Sequence, residues 1–322
     1  MMSELNKQEG FLLALEGGGT RSQAAVMDFT GRVLHIAESG EVNTNFITLE
    51  EAQKAVMAAV TEVLKLAEIP GECIRHFVSA LVGPKFGTDL FAKIVPRTSY
   101  SYYNERDVVF ARAGIYRPHG VAVVAATGAT AWGVRSDDGR HAAFGGWGPL
   151  LGDEGSAYAA GLLGLRAAVR AFEGREMEPT QLVEAICQHL GLMKETFHPE
   201  LIRLAYDKQL SRAEIAGLAA VVTRLATEGD PLARRISGKV ANDLAALALH
   251  TARNLFGRDE PFEVAAAGGL LNAGEIIISP LKSRLANEFP QAKLIIGKEA
   301  PAVALGRLAL FDISHLRRRD VN

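Results

Sequence analysis

The 322 residues suffice for about two domains at roughly 100–200 residues each. An apolar fraction of 48% supports a full globular core and argues against a disordered chain. The 35 basic and 37 acidic residues leave a net charge of -2, which gives no support to a nucleic-acid partner or an anionic membrane surface.

The first ten residues are polar and hold no apolar signal core. No uncharged apolar stretch is long enough to span a bilayer, so a soluble, cytoplasmic protein with no membrane partner is expected. Phe11–Leu15, Ser22–Phe29 and Arg32–Glu38 are short apolar runs joined by tight glycine connections, which predicts an antiparallel meander. Leu49–Ala67 has helical spacing and stops before Pro70-Gly71. Phe77–Val82 and Tyr100–Tyr103 read as strands, and Asp89–Val95 and Val108–Ala113 as short helices. The pattern then restarts, with strands over Val121–Ala126, Thr130–Arg135 and His141–Phe144. Helices follow at 154–173, 180–190, 211–227 and 231–256. The strands Phe262–Ala266 and Leu294–Ile296 flank a helix at 275–288, and a final helix spans roughly 301–311. Two units, each opening with three strands and then mixing in helices, predict a duplicated α/β domain with a cleft between, divided near Arg117–Gly120. Cys73 and Cys187 make no zinc or iron–sulfur motif, and reduced thiols are expected. The basic run Arg317–Arg319 reads as a solvated helix end.

Residues 144–158 hold Gly145, Gly146, Trp147, Gly148, Gly152, Asp153, Glu154, Gly155 and Ser156 just before a long helical pattern. Glycine lets backbone approach a ligand, and the two carboxylates offer acceptors for hydroxyl groups. Trp147 can stack on a sugar ring or plug an interdomain floor. Gly17-Gly18-Gly19-Thr20 joins two strands; its N–H groups can converge on a phosphate, or it is a plain hairpin turn. It is neither a Walker A loop nor a dinucleotide fingerprint, and Gly83–Thr88 lacks the lysine that a Walker A loop places before the threonine. Ala126–Thr130 mirrors the first turn in the second unit. Gly268-Gly269 follows a strand, where a flat ring can approach or a tight strand-to-helix connection is needed. Asn104-Glu105 ends a strand, and its carboxylate can accept a hydroxyl proton or cap the next helix. None of the eight histidines has a Ser/Asp or metal-ligand arrangement.

From residue 11 to about 311, these motifs resemble the N-acetylglucosamine kinase / BadF-type ATPase family of the actin-like sugar-kinase superfamily. The segment Gly145–Ala157 carries the most specific part, and Thr44-Asn45-Phe46 fits where the family supplies a sugar-binding asparagine. The resemblance implies an α/β fold of two actin-like (ribonuclease H-like) domains with a central cleft. The first domain spans 10–118, the second 119–301 with a helical insertion, and the final helix, 302–316, packs back on the first. The resemblance further implies that Gly17, Gly18, Gly19 and Thr20 form one ATP phosphate loop, Thr127 and Gly128 the other, with Gly268 and Gly269 against adenosine. Asn45, Thr130, Gly146, Trp147, Asp153, Glu154 and Ser156 would line the sugar. Glu105 falls at the catalytic base, and Glu16 at the metal-associated acid. The family usually has Asp at both acid positions, and often Ser-Asn where Ala129-Thr130 stands.

The implied activity is ATP-dependent phosphorylation of N-acetylglucosamine or a related amino sugar at O6, with Mg²⁺ held mostly through water. The implied assembly is a homodimer. Two other readings stay open. The paired glutamates fit a sugar- or nucleotide-binding protein without turnover, acting as a sensor or partner. An ATPase driving another protein's conformation is the third.

Overall fold

The computed structural model describes residues 10–319 apart from 84, 85, 87, 97 and 208. The polar N-terminal segment and much of the 83–88 loop therefore lie outside the described residues. Contacts divide the chain into two compact units, one running to Pro118 and resuming at Ile296, the other His119–Ile295.

The first unit opens with an antiparallel meander of β1 (Phe11–Gly17), β2 (Ser22–Asp28) and β3 (Val33–Ser39). Helix α1 (Leu49–Ala67) follows, then β4 (Ile74–Leu81), parallel to β1, and α2 (Thr88–Phe91). Next come β5 (Ser99–Tyr102), parallel to β4, and α3 (Glu105–Arg112). The second unit repeats the plan with β6 (Gly120–Ala125), β7 (Ala129–Val134) and β8 (His141–Gly145). Five helices follow: α4 (Ala157–Phe172), α5 (Leu182–Leu190), α6 (Phe197–Ile202), α7 (Arg212–Glu228) and α8 (Pro231–Arg253). Then come β9 (Glu263–Ala267), parallel to β6, α9 (Glu275–Glu288) and β10 (Lys293–Ile296). Helix α10 (Pro301–Arg319) returns to pack on β1, β2 and α3. The sheet orders β3-β2-β1-β4-β5 and β8-β7-β6-β9-β10 are the same topology twice. The fold class is thus α/β with two mixed sheets.

Local chemistry explains these elements. Thr48 caps α1 by accepting the Glu51 N–H at 3.2 Å, and the Glu51 carboxylate accepts the Thr48 N–H at 2.8 Å. The stripe Ala52, Val56, Ala59, Val60, Val63 is fully buried against the sheet, each valine contributing about 1.5–3 kcal/mol. β1 is central and buried on both faces. Leu13 and Leu15 pack in the core that includes α1, while Leu12 and Ala14 face α10.

The expected elements recur with local differences. The short helix after Asp89 ends at Phe91; the N–H groups of Ile94 and Val95 turn back to the Phe91 carbonyl ahead of Pro96. Helix α4 starts at Ala157 rather than 154, because Asp153 adopts a left-handed φ of 63° that no helix continues. Helix α6 and the following π-turn, 203–207, lie outside the expected elements, since six residues give little period to read. Both cysteines are free. Among the described residues no helix is long and apolar enough to cross a membrane.

Candidate functional site

Two turns hold most of the candidate residues, one in each unit. In the first, Glu16 ends β1 with Gly17, and its alternation places it on the Leu12–Ala14 face, toward α3 and α10. Glu105 is the first residue of α3 rather than the end of a strand. Asn104 and Asp107 form a capping box that starts the helix there. Burial pushes Glu16 up to about 8; repulsion from Glu105 adds to this, and the Arg112 and Arg21 cations oppose it. Burial pushes Glu105 up to about 7. The sequence reading missed Arg112. It lies two turns along α3 from Glu105, and its Nε donates to the Glu299 carbonyl at 2.8 Å.

The first turn is closed by its own backbone. The Gly18 N–H donates to the Arg21 carbonyl at 2.9 Å, and the Gly18 carbonyl accepts the Val42 N–H at 3.1 Å. The latter bond ties the 42–46 loop, with Asn45, to the turn. Asn45 is exposed, and its N–H donates to Asn43 Oδ1 at 3.1 Å. Gly17 answers a packing demand, since a Cβ there would sit 2.6 Å from Val42 Cγ2. Gly19 and Thr20 complete the turn, with Thr20 exposed.

In the second unit the turn at Thr127 and Gly128 links β6 to β7. The Ala126 and Thr127 carbonyls accept the N–H groups of Ala157 (2.9 Å) and Tyr158 (3.3 Å), the first two residues of α4. Ser156 Oγ, fully buried, accepts the third from Ala159 at 3.1 Å. The α4 N-terminus is therefore consumed internally and is no anion site, and Ser156 serves as its cap. Asp153 is only 3% exposed, and its Oδ1 accepts the Ala129 N–H at 3.2 Å. Arg212, at the start of α7, places Nη2 3.6 Å from Asp153 Oδ2. Burial pushes the Asp153 carboxyl up, as does Glu154, while the Ala129 N–H and then Arg212 pull it down.

Around this turn, Gly268 has φ of 133°, and a Cβ there would fall 2.2 Å from the Ala125 carbonyl oxygen; only glycine allows this approach. Gly269 opens a short 3₁₀ helix. Thr130 pairs with Gly145 across β7 and β8, and a Cβ on Gly146 would lie 3.6 Å from the Thr130 Cβ. Trp147 is 73% exposed, and Glu154 is exposed as well. The second unit thus gathers Thr127, Gly128, Asp153, Ser156 and Gly268 around one turn and leaves Trp147 and Glu154 open to solvent. Arg212 carried no local signal; only helix packing reveals it.

Against the sequence reading of the histidines, His119 meets Asp137 and Glu260 with ligand atoms within 4.8 Å. Arg135 occupies that group, bonding Glu260 Oε2 at 2.7 Å and lying 3.8 Å from Asp137, so the cluster is an ion-pair network.

A model of the BadF/BadG/BcrA/BcrD ATPase family matches residues 15–303. The N-acetylmuramic acid/N-acetylglucosamine kinase of Clostridium acetobutylicum is 27% identical over 303 residues, 91% of this chain and 95% of that protein. The N-acetyl-D-glucosamine kinase of Dictyostelium discoideum is 26% identical over 318 residues, covering 92% and 97%. Among solved structures, a candidate N-acetylglucosamine kinase of Chromobacterium violaceum aligns with a TM-score of 0.66 at 22% identity, covering 94% of this chain and 98% of that one. At that identity the likeness speaks to the fold alone.

Proposed function

We propose that this chain, which belongs to the BadF/BadG/BcrA/BcrD ATPase family, is an ATP-dependent kinase of N-acetylglucosamine or a related amino sugar. The observation that carries the reading is the half-buried carboxyl pair Glu16 and Glu105, with Glu105 raised to about 7. A general base works best with a pKa near the operating pH. The kinase names of two relatives that align along nearly their whole length supply the acceptor class.

In the proposed reaction the sugar O6 attacks the γ-phosphorus of ATP. The bond from that phosphorus to the β,γ-bridging oxygen breaks, ADP leaves, and the hydroxyl proton passes to Glu105. The 17–20 and 127–128 turns cradle phosphates with fixed N–H dipoles. Asn45, Thr130, Gly146, Trp147, Asp153 and Glu154 hold the sugar. Ser156 contributes by capping α4, which seats Asp153 three residues upstream. Gly268 and Gly269 leave room for adenosine.

The oxygen donor of Glu16 suits Mg²⁺, and two half-buried carboxyls that repel one another are a place a dication neutralises. Glu16 would hold the ion, mostly through water. Bound there, Mg²⁺ supplies charge neutralisation of the phosphates.

The test is ATP consumption across N-acetylglucosamine, N-acetylmuramic acid, glucosamine, N-acetylmannosamine and glucose, with mass spectrometry for the phosphosugar. Phosphate on one amino sugar at O6 is expected. Sugar binding without product would instead favour the silent binder that the two glutamates leave open. ATP hydrolysis with no phosphosugar would favour an ATPase acting on another protein.

A further inference from the structure

No sequence motif marks Arg212, yet it lies over the second turn. We propose, resting on the kinase reading, that Arg212 is a positioning residue: through Asp153 it fixes the Gly128 turn and keeps Asp153 Oδ2 ready to accept a hydroxyl of the sugar. Three independent features lead there.

The guanidinium is placed by backbone, not by chance. A Cβ on Gly161 of α4 would sit 1.8 Å from the Ile215 carbonyl oxygen of α7, and one on Gly164 would sit 2.3 Å from Val222 Cγ2. The two helices therefore touch at their backbones. Asp153 lies just ahead of Ser156, the cap of α4, and Arg212 is the first residue of α7, so one helix pair sets both ends of the ion pair. The start of α7 does not depend on the Arg212 side chain. Ser211 Oγ accepts the Glu214 N–H at 3.2 Å, and the Glu214 carboxylate accepts the Ser211 N–H at 2.8 Å.

The pair also closes on the turn. A Cβ on Gly128 would fall 2.9 Å from Asp153 Oδ1 and 3.1 Å from Arg212 Nη2. Carboxylate and guanidinium both rest on the same glycine. The Arg212 side chain is 18% exposed and that of Asp153 only 2%.

Finally, Asp153 Oδ2 is buried without a hydrogen bond among the described residues, while Oδ1 has the Ala129 N–H. A buried acceptor of this kind is costly, and a donor from a ligand relieves it. Asp153 also holds a left-handed φ of 63°, backbone strain of the sort that surrounding structure must impose. Among the described residues the charges acting on its carboxyl are Arg212, which favours the ionised form, and Glu154, which opposes it. Removing Arg212 lets Asp153 take up a proton at higher pH. Oδ2 then becomes a donor and no longer receives the sugar hydroxyl.

The experiment measures sugar affinity by calorimetry and kcat/KM over about pH 5 to 9 for the full chain, Arg212→Ala, Arg212→Lys and Arg212→Gln. Arg212→Ala and Arg212→Gln are expected to weaken sugar binding near pH 6 by about tenfold and to move the acid limb up by roughly one pH unit. Arg212→Lys, which keeps the charge, is expected to recover most of the limb. A purely structural role would lower the melting temperature equally in all three and leave the limb in place. An unmoved limb with unchanged sugar affinity overturns the proposal. Should Arg212→Ala fail to fold, the contrast of Lys with Gln decides: a shifted Gln limb supports it, identical limbs overturn it. A parent protein that binds sugar but makes no phosphosugar overturns the kinase reading alone, because the pH dependence of affinity still judges Arg212. A parent that binds no sugar at any pH overturns both.

Discussion

In the first unit the turn after β1 lies beside two half-buried carboxyls, Glu16 and Glu105, that repel each other. In the second the turn after β6 lies beside one buried carboxylate, Asp153, that is paired with Arg212 and a backbone N–H. Both turns join the first two strands of sheets with one topology. The backbone plan is shared and the electrostatics differ. A carboxyl that takes a proton needs a pKa near the working pH, which burial provides at Glu105. At Asp153 burial pushes the carboxyl up, and the N–H donor and the cation oppose that push.

The sharpest way to break the comparison is to remove the proton acceptor. Glu105→Gln is expected to lower kcat by about 10²–10⁴-fold while sugar affinity stays intact, read by steady-state kinetics beside calorimetry. Unchanged turnover would remove Glu105 from the chemistry. Glu105→Asp withdraws the carboxyl by about 1 Å and is expected to cost on the order of 10²-fold. A large gain in rate would mark the natural glutamate as an impairment of a kinase, whereas no activity in either form would support the binding-protein reading.

The glycines sharpen the contrast at smaller scale. A Cβ on Gly128 meets Asp153 Oδ1 at 2.9 Å, whereas one on Gly18 meets nothing nearer than the Arg21 carbonyl oxygen at 3.8 Å. Gly128→Ala is therefore expected to raise KM for ATP by about tenfold, roughly 1.4 kcal/mol. Gly18→Ala should change it little. Equal effects in parallel assays would mean that the two turns are used alike.

The smallest effect is on stability. With Glu16 near 8 and Glu105 near 7 against a usual 4.5, the folded state binds more protons than the unfolded state across this window. Stability then falls as pH rises from 4.5 through 8. Glu16→Gln is expected to raise the melting temperature by about 2–4 °C near pH 9 without Mg²⁺, and to leave it unchanged near pH 4. A flat difference between those pH values would mean that burial does not raise the Glu16 carboxyl.

The sequence by itself determined the strands and helices whose signals are local. Short apolar runs between glycine turns marked both meanders, and the stripe from Ala52 to Ala67, stopping before Pro70-Gly71, marked α1 to the residue. It also pointed to the turns at 17–20 and 127–128 and to the segment 145–156. It did not determine what those residues do to each other. Ser156 proved to be a helix cap, Gly17 a packing contact, and Glu105 the opening of a helix. Arg212 meets Asp153 only because Gly161 and Gly164 let α7 close on α4, and Glu16 feels Glu105 only because β1 and α3 share one apolar cluster with α10. Periodicity encodes which face of an element is buried, a property of neighbours along the chain. Which charge faces which, and how far burial raises a pKa, depend on residues brought together from distant parts of the sequence, and that is decided by tertiary packing.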